Sequence, residues 1–128
     1  MKKGVDKLDD GVIDAYERSL YFYGCGVEAM QEGDYGKALD LFNCSLDWEK
    51  HSKTYERMHT CYKHNGREEL AFKAIQSAYA LNPRVDKTAF IYANELKARG
   101  ETDAAREVAQ EIRQRNPTYR TKELEKLL

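Results

Sequence analysis

The sequence predicts an all-α chain built of helix–turn–helix hairpins, and two observations carry the prediction. Glycines recur at Gly33, Gly66 and Gly100, spaced 33 and 34 residues, each with apolar residues at helical spacing on both sides. Asn-Pro pairs close the second and third units at Pro83 and Pro117, each 17 residues after a glycine. A glycine within a helix costs about 1 kcal/mol relative to alanine, so a glycine recurring in this setting marks a helix end. Proline beyond a helix end stops the chain from continuing it. Each unit therefore reads helix, Gly turn, helix, Asn-Pro turn, with Lys50 in the proline's place in the first unit.

Taken in chain order, residues 1–18 are a disordered start over 1–8 followed by "DDGVIDAYERSL", which carries Val12, Ile13, Tyr16 and Leu20 at helical spacing. That stretch either lengthens the first helix or forms a short helix beside it. Three units follow at 19–51, 52–85 and 86–119. In the stretch "QEGDYGKALDLF", Gly33 ends one helix, and Ala38 with Phe42 begins the apolar stripe of its antiparallel neighbour. Residues 120–128 form a C-terminal capping helix, because "TKELEKLL" places Leu124, Leu127 and Leu128 on one face. The same segment also reads as the start of a fourth unit.

Alignment on the glycines shows what the units share. Gly26, His59 and Ala93 stand before the turn, Ala38, Ala71 and Ala105 after it, and Ser45, Ala78 and Ile112 further on. Seven of these nine residues are Ala, Gly or Ser, against 25 of 128 in the whole chain, so the positions are selected for size. Small side chains let two helices approach closely. His59 and Ile112 depart from the rule, which predicts looser or shifted packing at those places. Phe22, Tyr55 and Ala89, then Cys25, Met58 and Tyr92, then Ala29, Tyr62 and Leu96, then Phe42, Ile75 and Ala109 occupy the remaining core positions.

Period, small positions, turn glycines and terminal prolines together resemble the tetratricopeptide repeat over about four-fifths of the chain. The resemblance implies a right-handed superhelical solenoid of three such hairpins plus the short C-terminal helix. It also implies a concave face lined by the first helix of each unit. On this sequence that face takes Leu20, Tyr23, Gly24, Val27, Met30 and Gln31 from the first unit. The second gives Lys53, Glu56, Arg57, Thr60, Lys63 and His64, and the third gives Lys87, Phe90, Ile91, Asn94, Lys97 and Ala98. The groove so defined is apolar at one end and basic in its middle. Gly24 stands where the repeat needs no small residue, which implies that another backbone comes close: a bound peptide, or the chain's own residues 9–18 folded back. Some family members hold a chaperone C-terminal carboxylate with Lys and Asn in the first repeat, Asn in the second, and Lys and Arg in the third. Here those places carry Tyr23, Val27, Arg57, Lys87 and Ile91, so only Lys87 matches and that clamp is not expected.

Composition narrows the function classes. The chain holds 21 basic and 22 acidic residues, which leaves no global field for nucleic acid or anionic lipid. The balance is uneven, with 6 basic and 11 acidic groups in residues 1–51 against 9 and 5 in residues 52–99. Cys25, Cys44 and Cys61 cannot all pair within one chain and match no zinc spacing, which favours a reducing, cytoplasmic setting. The start "MKKGVDKLDDG" lacks the apolar stretch of a secretory signal, and the run "LYFYGCGV" is too short to span a bilayer. No catalytic signature is present. His59, Cys61 and His64 are not spaced to share a helix face, so the histidines read as one core and one surface residue, while Cys25 stands at an apolar core position where a thiol acts as a small hydrophobe. No metal and no cofactor are expected.

These readings converge on a binding module rather than an enzyme. The expected partner is a protein or peptide, acidic and with apolar anchors. The alternatives are a small cytoplasmic chaperone for a secreted client, and a structural protein that self-associates, a homodimer through the N-terminal helix or the repeat ends. Base-reading by a pentatricopeptide-like array is disfavoured by the shorter period and by an isoelectric point of about 6.3.

Overall fold

A computed structural model describes residues 3–128 of the chain, with side chains from Asp14 onward. Among the described residues every regular element is helical: α1 (Lys3–Gln31), α2 (Tyr35–Trp48), α3 (Ser52–His64), α4 (Glu68–Leu81), α5 (Asp86–Ala98), α6 (Thr102–Arg115) and α7 (Thr121–Glu125). Helices α1 and α2, α3 and α4, and α5 and α6 pack as antiparallel hairpins, and the hairpins stack in chain order through α2 on α3 and α4 on α5.

The three turn glycines have one backbone geometry. Gly33, Gly66 and Gly100 sit at φ +80°, +71° and +84°, the left-handed region that a side chain disfavours. Each gives its own N–H to the carbonyl three residues before it, and the next residue's N–H reaches the carbonyl five before itself. The pairs are Gly33 to Met30 and Asp34 to Ala29, Gly66 to Lys63 and Arg67 to Tyr62, and Gly100 to Lys97 and Glu101 to Leu96. This is the Schellman arrangement, which satisfies carbonyls that the helix end leaves without a partner. In the first hairpin the chain re-enters helix under an N-cap, the Asp34 carboxylate accepting the Lys37 N–H at 3.0 Å.

The small positions lie where the helices cross. Ala38, Ala71, Ala78, Ala93, Ala105 and Ser45 are fully buried or within 1 % of it. Gly26 is the tightest of these positions. A Cβ built there would lie 2.5 Å from Cε1 of the buried Phe42 ring. The two exceptions are accommodated differently. Ile112 is wholly buried and joins Leu124 and Leu127 in the core of the third hairpin, so no looseness is found there. His59 is 9 % exposed and its Nε2 lies 2.8 Å from Glu95 of α5, so its ring is spent on the contact between hairpins.

Helix α1 is unbroken over 29 residues, about 43 Å at 1.5 Å per residue. Residues 9–18 therefore lengthen the first helix and do not form a separate one. The disordered start expected over residues 1–8 falls partly outside the described residues; from Lys3 the backbone is helical. Ser19 ties α1 to the far end of its hairpin, its hydroxyl meeting Ser45 at 3.0 Å and the carbonyl of Glu49, just past α2, at 3.1 Å. At the other end α7 covers the last hairpin with the buried Leu124 and Leu127. No helix among the described residues is long and apolar enough to cross a membrane.

Candidate functional site

The first helices of the hairpins lie side by side, joined by polar ties. Arg57 Nε on α3 donates to the Tyr23 hydroxyl on α1 at 3.1 Å. Thr88 on α5 donates to Glu56 on α3 at 2.8 Å, and Lys87 Nζ lies 3.2 Å from the other oxygen of the same carboxylate. The His59–Glu95 pair adds a second link between α3 and α5. Helices α1, α3 and α5 thus present one continuous face.

One end of that face is apolar. Leu20 is 45 % exposed, and Tyr23, Val27 and Met30 are half-buried against the cluster of Phe42, Met58 and Cys61. Tyr23 packs on Phe42 with ring centroids 5.8 Å apart. Gly24 loses one of its two expected occupants. It is exposed, and a Cβ placed there meets nothing within 4 Å among the described residues. Because α1 is continuous, residues 9–18 do not fold back over it.

The basic middle is more compensated than the residue types imply. Lys53 is exposed and Arg57 is half-buried beside Tyr23, so these two carry the local positive charge. Lys87 is committed to Glu56. Lys63 is drawn to the edge of the face, with Nζ 2.7 Å from Glu68 and 3.3 Å from Glu95, and the Glu68 hydrogen bond raises its pKa. His64 stacks on Tyr35 at 4.2 Å and 8° and is withdrawn from the groove. Thr60 donates back to the Glu56 carbonyl at 3.5 Å.

In the third hairpin Ile91 is half-buried and Asn94 is exposed, its side-chain amide donating to the carbonyl of Phe90. Phe90 is covered by the chain itself, Tyr119 meeting its ring edge-on at 6.3 Å and the Arg120 guanidinium lying 4.9 Å over it. Lys97 is spent on the carbonyl of Lys126 at 2.9 Å. On this face Leu20, Gly24, Lys53, Lys87 and Asn94 are exposed and Tyr23, Val27, Met30, Arg57 and Ile91 are half-buried, while Lys63, His64, Phe90 and Lys97 are engaged by neighbouring parts of the chain. Sequence reasoning placed Glu56 on this face without its acceptor role, and nothing in the repeat pattern signals Tyr119 and Arg120 as a cover for Phe90.

Two further observations bear on chemistry. The Cys61 thiol is buried, and burial pushes its pKa up to about 11 against the lowering effect of Arg57, which removes it as a nucleophile. A recess of about 640 Å³ opens on the opposite side, between α4 and α6, lined by Tyr79, Pro83, Arg84, Glu111, Gln114 and Arg115. Its charges are largely satisfied, Tyr79 donating to Glu111 at 3.0 Å and Arg115 pairing with Asp86 at 2.7 Å.

Solved structures settle the architecture. The second tetratricopeptide domain of the human RPAP3 protein, determined with the HSP70 peptide SGPTIEEVD, superposes with a TM-score of 0.73 at 16% identity. The match covers 88% of this chain and 97% of that one. The chain has the tetratricopeptide-repeat fold. Its three repeats form a right-handed superhelical solenoid, finished by the short helix α7. The Yersinia enterocolitica type III secretion chaperone SycD, in complex with a peptide of the translocator YopD, matches this tetratricopeptide array with a TM-score of 0.68 at 16% identity. That match covers 84% of this chain and 89% of SycD. Among curated proteins, the Photosystem I assembly protein Ycf3 of Prochlorococcus marinus (strain NATL1A) is 31% identical over 94 residues, covering 66% of this chain. The chain spans about half the length of that relative, 54%. No family model matches the sequence.

Proposed function

We propose that this tetratricopeptide array is a protein-interaction module that captures a partner segment on the face of α1, α3 and α5. The segment places an apolar side chain against Leu20, Tyr23 and Val27 and a carboxylate against Lys53 and Arg57. One observation carries the reading: Leu20 stands 45 % exposed three residues before Tyr23, whose hydroxyl already holds the Nε of Arg57. An apolar patch next to a pre-oriented guanidinium is matched by a segment offering both apolar surface and an acid. Holding Nε on Tyr23 lowers the ordering cost of presenting the remaining guanidinium nitrogens. Peptide recognition by the RPAP3 and SycD structures supports a binding role, although their ligands are not thereby assigned to this chain.

The test is selection of random twelve-residue peptides displayed on phage against the full chain, with the Lys53→Glu/Arg57→Glu variant as counter-selection. The expected result is a motif joining an acid to a large apolar residue, with affinity that falls as salt is raised. Enrichment of no motif, or of one the variant binds equally well, overturns the reading. The peptide SGPTIEEVD is expected to bind poorly, because Tyr23, Val27 and Ile91 replace the polar groups of the carboxylate clamp.

A second reading, escort or assembly of a client protein, is favoured by the name of the curated relative. It uses the same face and predicts that the client is lost or aggregated when this chain is absent.

A further inference from the structure

Arg120 is the one non-glycine residue at positive φ among the described residues, at φ 42° and ψ 47°. Left-handed backbone disfavours a side chain, and strain of this kind gathers at clamps and switches. The residue sits between α6 and α7, in a strap tied down at both ends. Before it, the Asn116 side-chain amide donates to Asp86 at 3.0 Å. After it, Leu124 and Leu127 are buried in the core of the third hairpin, and Lys97 donates to the Lys126 carbonyl. Between these anchors the strap lays two side chains on Phe90 of α5, the Tyr119 ring edge-on at 6.3 Å and the Arg120 guanidinium 4.9 Å above.

The polar ties of this cover are local to the strap. Arg120 Nε donates to the Tyr119 hydroxyl at 3.3 Å, and its guanidinium reaches Glu123 at 3.5 Å, both long and both within residues 119–123. Among the described residues no hydrogen bond or ion pair joins either side chain to α1–α6; they meet the repeats through Phe90 and the apolar core beside it. The Arg120 side chain is 48 % exposed. Lifting the guanidinium off Phe90 therefore breaks no polar tie to the array, and the anchors keep α7 in place while it moves. Lys63 and Lys87, by contrast, are engaged by carboxylates of the repeat helices themselves.

We infer that Tyr119 and Arg120 form an autoinhibitory strap that closes the α5 end of the recognition face. With the strap seated, a partner segment contacts α1 and α3 and stops short of Phe90. With it lifted, Phe90 joins Ile91 as a second apolar anchor point, and a segment that crosses all three helices sets a large apolar side chain there. The strap regulates the face proposed above and rests on that reading for its partner, whereas its own state is measurable without one.

The probe is indole, a free aromatic group, titrated into the full chain while amide chemical shifts are followed at Phe90, Ile91 and Asn94. Arg120→Gly removes the guanidinium and suits left-handed backbone, and Arg120→Asn removes it and tolerates the same backbone. Each variant is expected to keep its helical circular dichroism and to bind indole at this place about threefold to tenfold more tightly than wild type, as loss of a competing cation–π contact allows. Adding Phe90→Ala to Arg120→Gly is expected to abolish the gain. Equal indole affinity in wild type and both variants overturns the inference, and so does a gain that survives Phe90→Ala. Phage selection on Arg120→Gly reads the partner separately, with a second large apolar residue expected in the motif. If neither wild type nor variant selects a motif while the indole gain holds, the proposed function fails and the strap stands. A motif selected by wild type with no indole gain in the variants sinks the strap alone.

Discussion

Alanine should raise stability at Gly24 but not at Gly26, although the positions are two apart on one helix. At both, alanine gains about 1 kcal/mol of helix propensity over glycine. At Gly24 nothing within 4 Å opposes the new methyl, so the whole gain is kept. At Gly26 the methyl would stand 2.5 Å and 2.7 Å from Cε1 and Cδ1 of Phe42. That ring is wholly buried, so it cannot swing into solvent. Overpacking of this kind costs about 1–3 kcal/mol, which cancels the gain or reverses it by up to about 2 kcal/mol. Urea unfolding at low micromolar concentration reads both, through the midpoint at constant slope. Gly24→Ala should raise the melting temperature by about 4 °C, using the shift per kcal/mol of a domain this size. Gly26→Ala should leave it unchanged or lower it. A stabilised Gly26→Ala, or a destabilised Gly24→Ala, would refute the assignment of the two glycines to close packing and to open space.

Other outcomes follow from the same geometry. Gly66→Ala and Gly100→Ala put a side chain at positive φ and should each lose about 1–2 kcal/mol in the same unfolding assay. Burial alone raises the Glu95 pKa, but hydrogen bonds from His59 and then Lys63 outweigh it and hold the carboxyl below the ordinary carboxylate range. A lowered folded-state pKa contributes stability above the unfolded value, near 4.3, that is lost as pH falls through the folded one. The Glu95→Gln variant should therefore lie closer to wild type in acid than at neutral pH in urea titrations; a constant gap would contradict this. A thiol-specific reagent at neutral pH should label Cys25 and Cys44 well before Cys61, whose pKa of about 11 and full burial keep it protonated and covered.

The hairpins were legible in the sequence because their causes are local. A helix end in left-handed backbone calls for glycine, so Gly33, Gly66 and Gly100 announce the turns wherever the rest of the chain lies. The crossing positions are legible for a similar reason, since Ala38, Ala71 and Ala105 report an interhelical distance and not a particular neighbour. The face of α1, α3 and α5 was legible only as a set of positions. What those side chains do there depends on partners about 30 residues away, as with Glu56, which accepts from Thr88 and pairs with Lys87. His64 turns to Tyr35, Lys97 to the carbonyl of Lys126, and Phe90 goes under Tyr119 and Arg120. A repeat period aligns helices; it does not say which charges will neutralise each other. At Gly24 the sequence left two occupants open, a bound peptide and the chain's own residues 9–18, and only the continuity of α1 removes the second, because a missing side chain looks the same in sequence whether the space beside it is filled or empty.

Amide chemical-shift mapping of the full chain with the tightest selected peptide addresses the recognition face most directly. The account predicts shifts concentrated at Leu20, Val27, Lys53, Arg57, Ile91 and Asn94, on α1, α3 and α5. Shifts gathered instead around Tyr79, Arg84 and Glu111, on the α4 and α6 side, would contradict it.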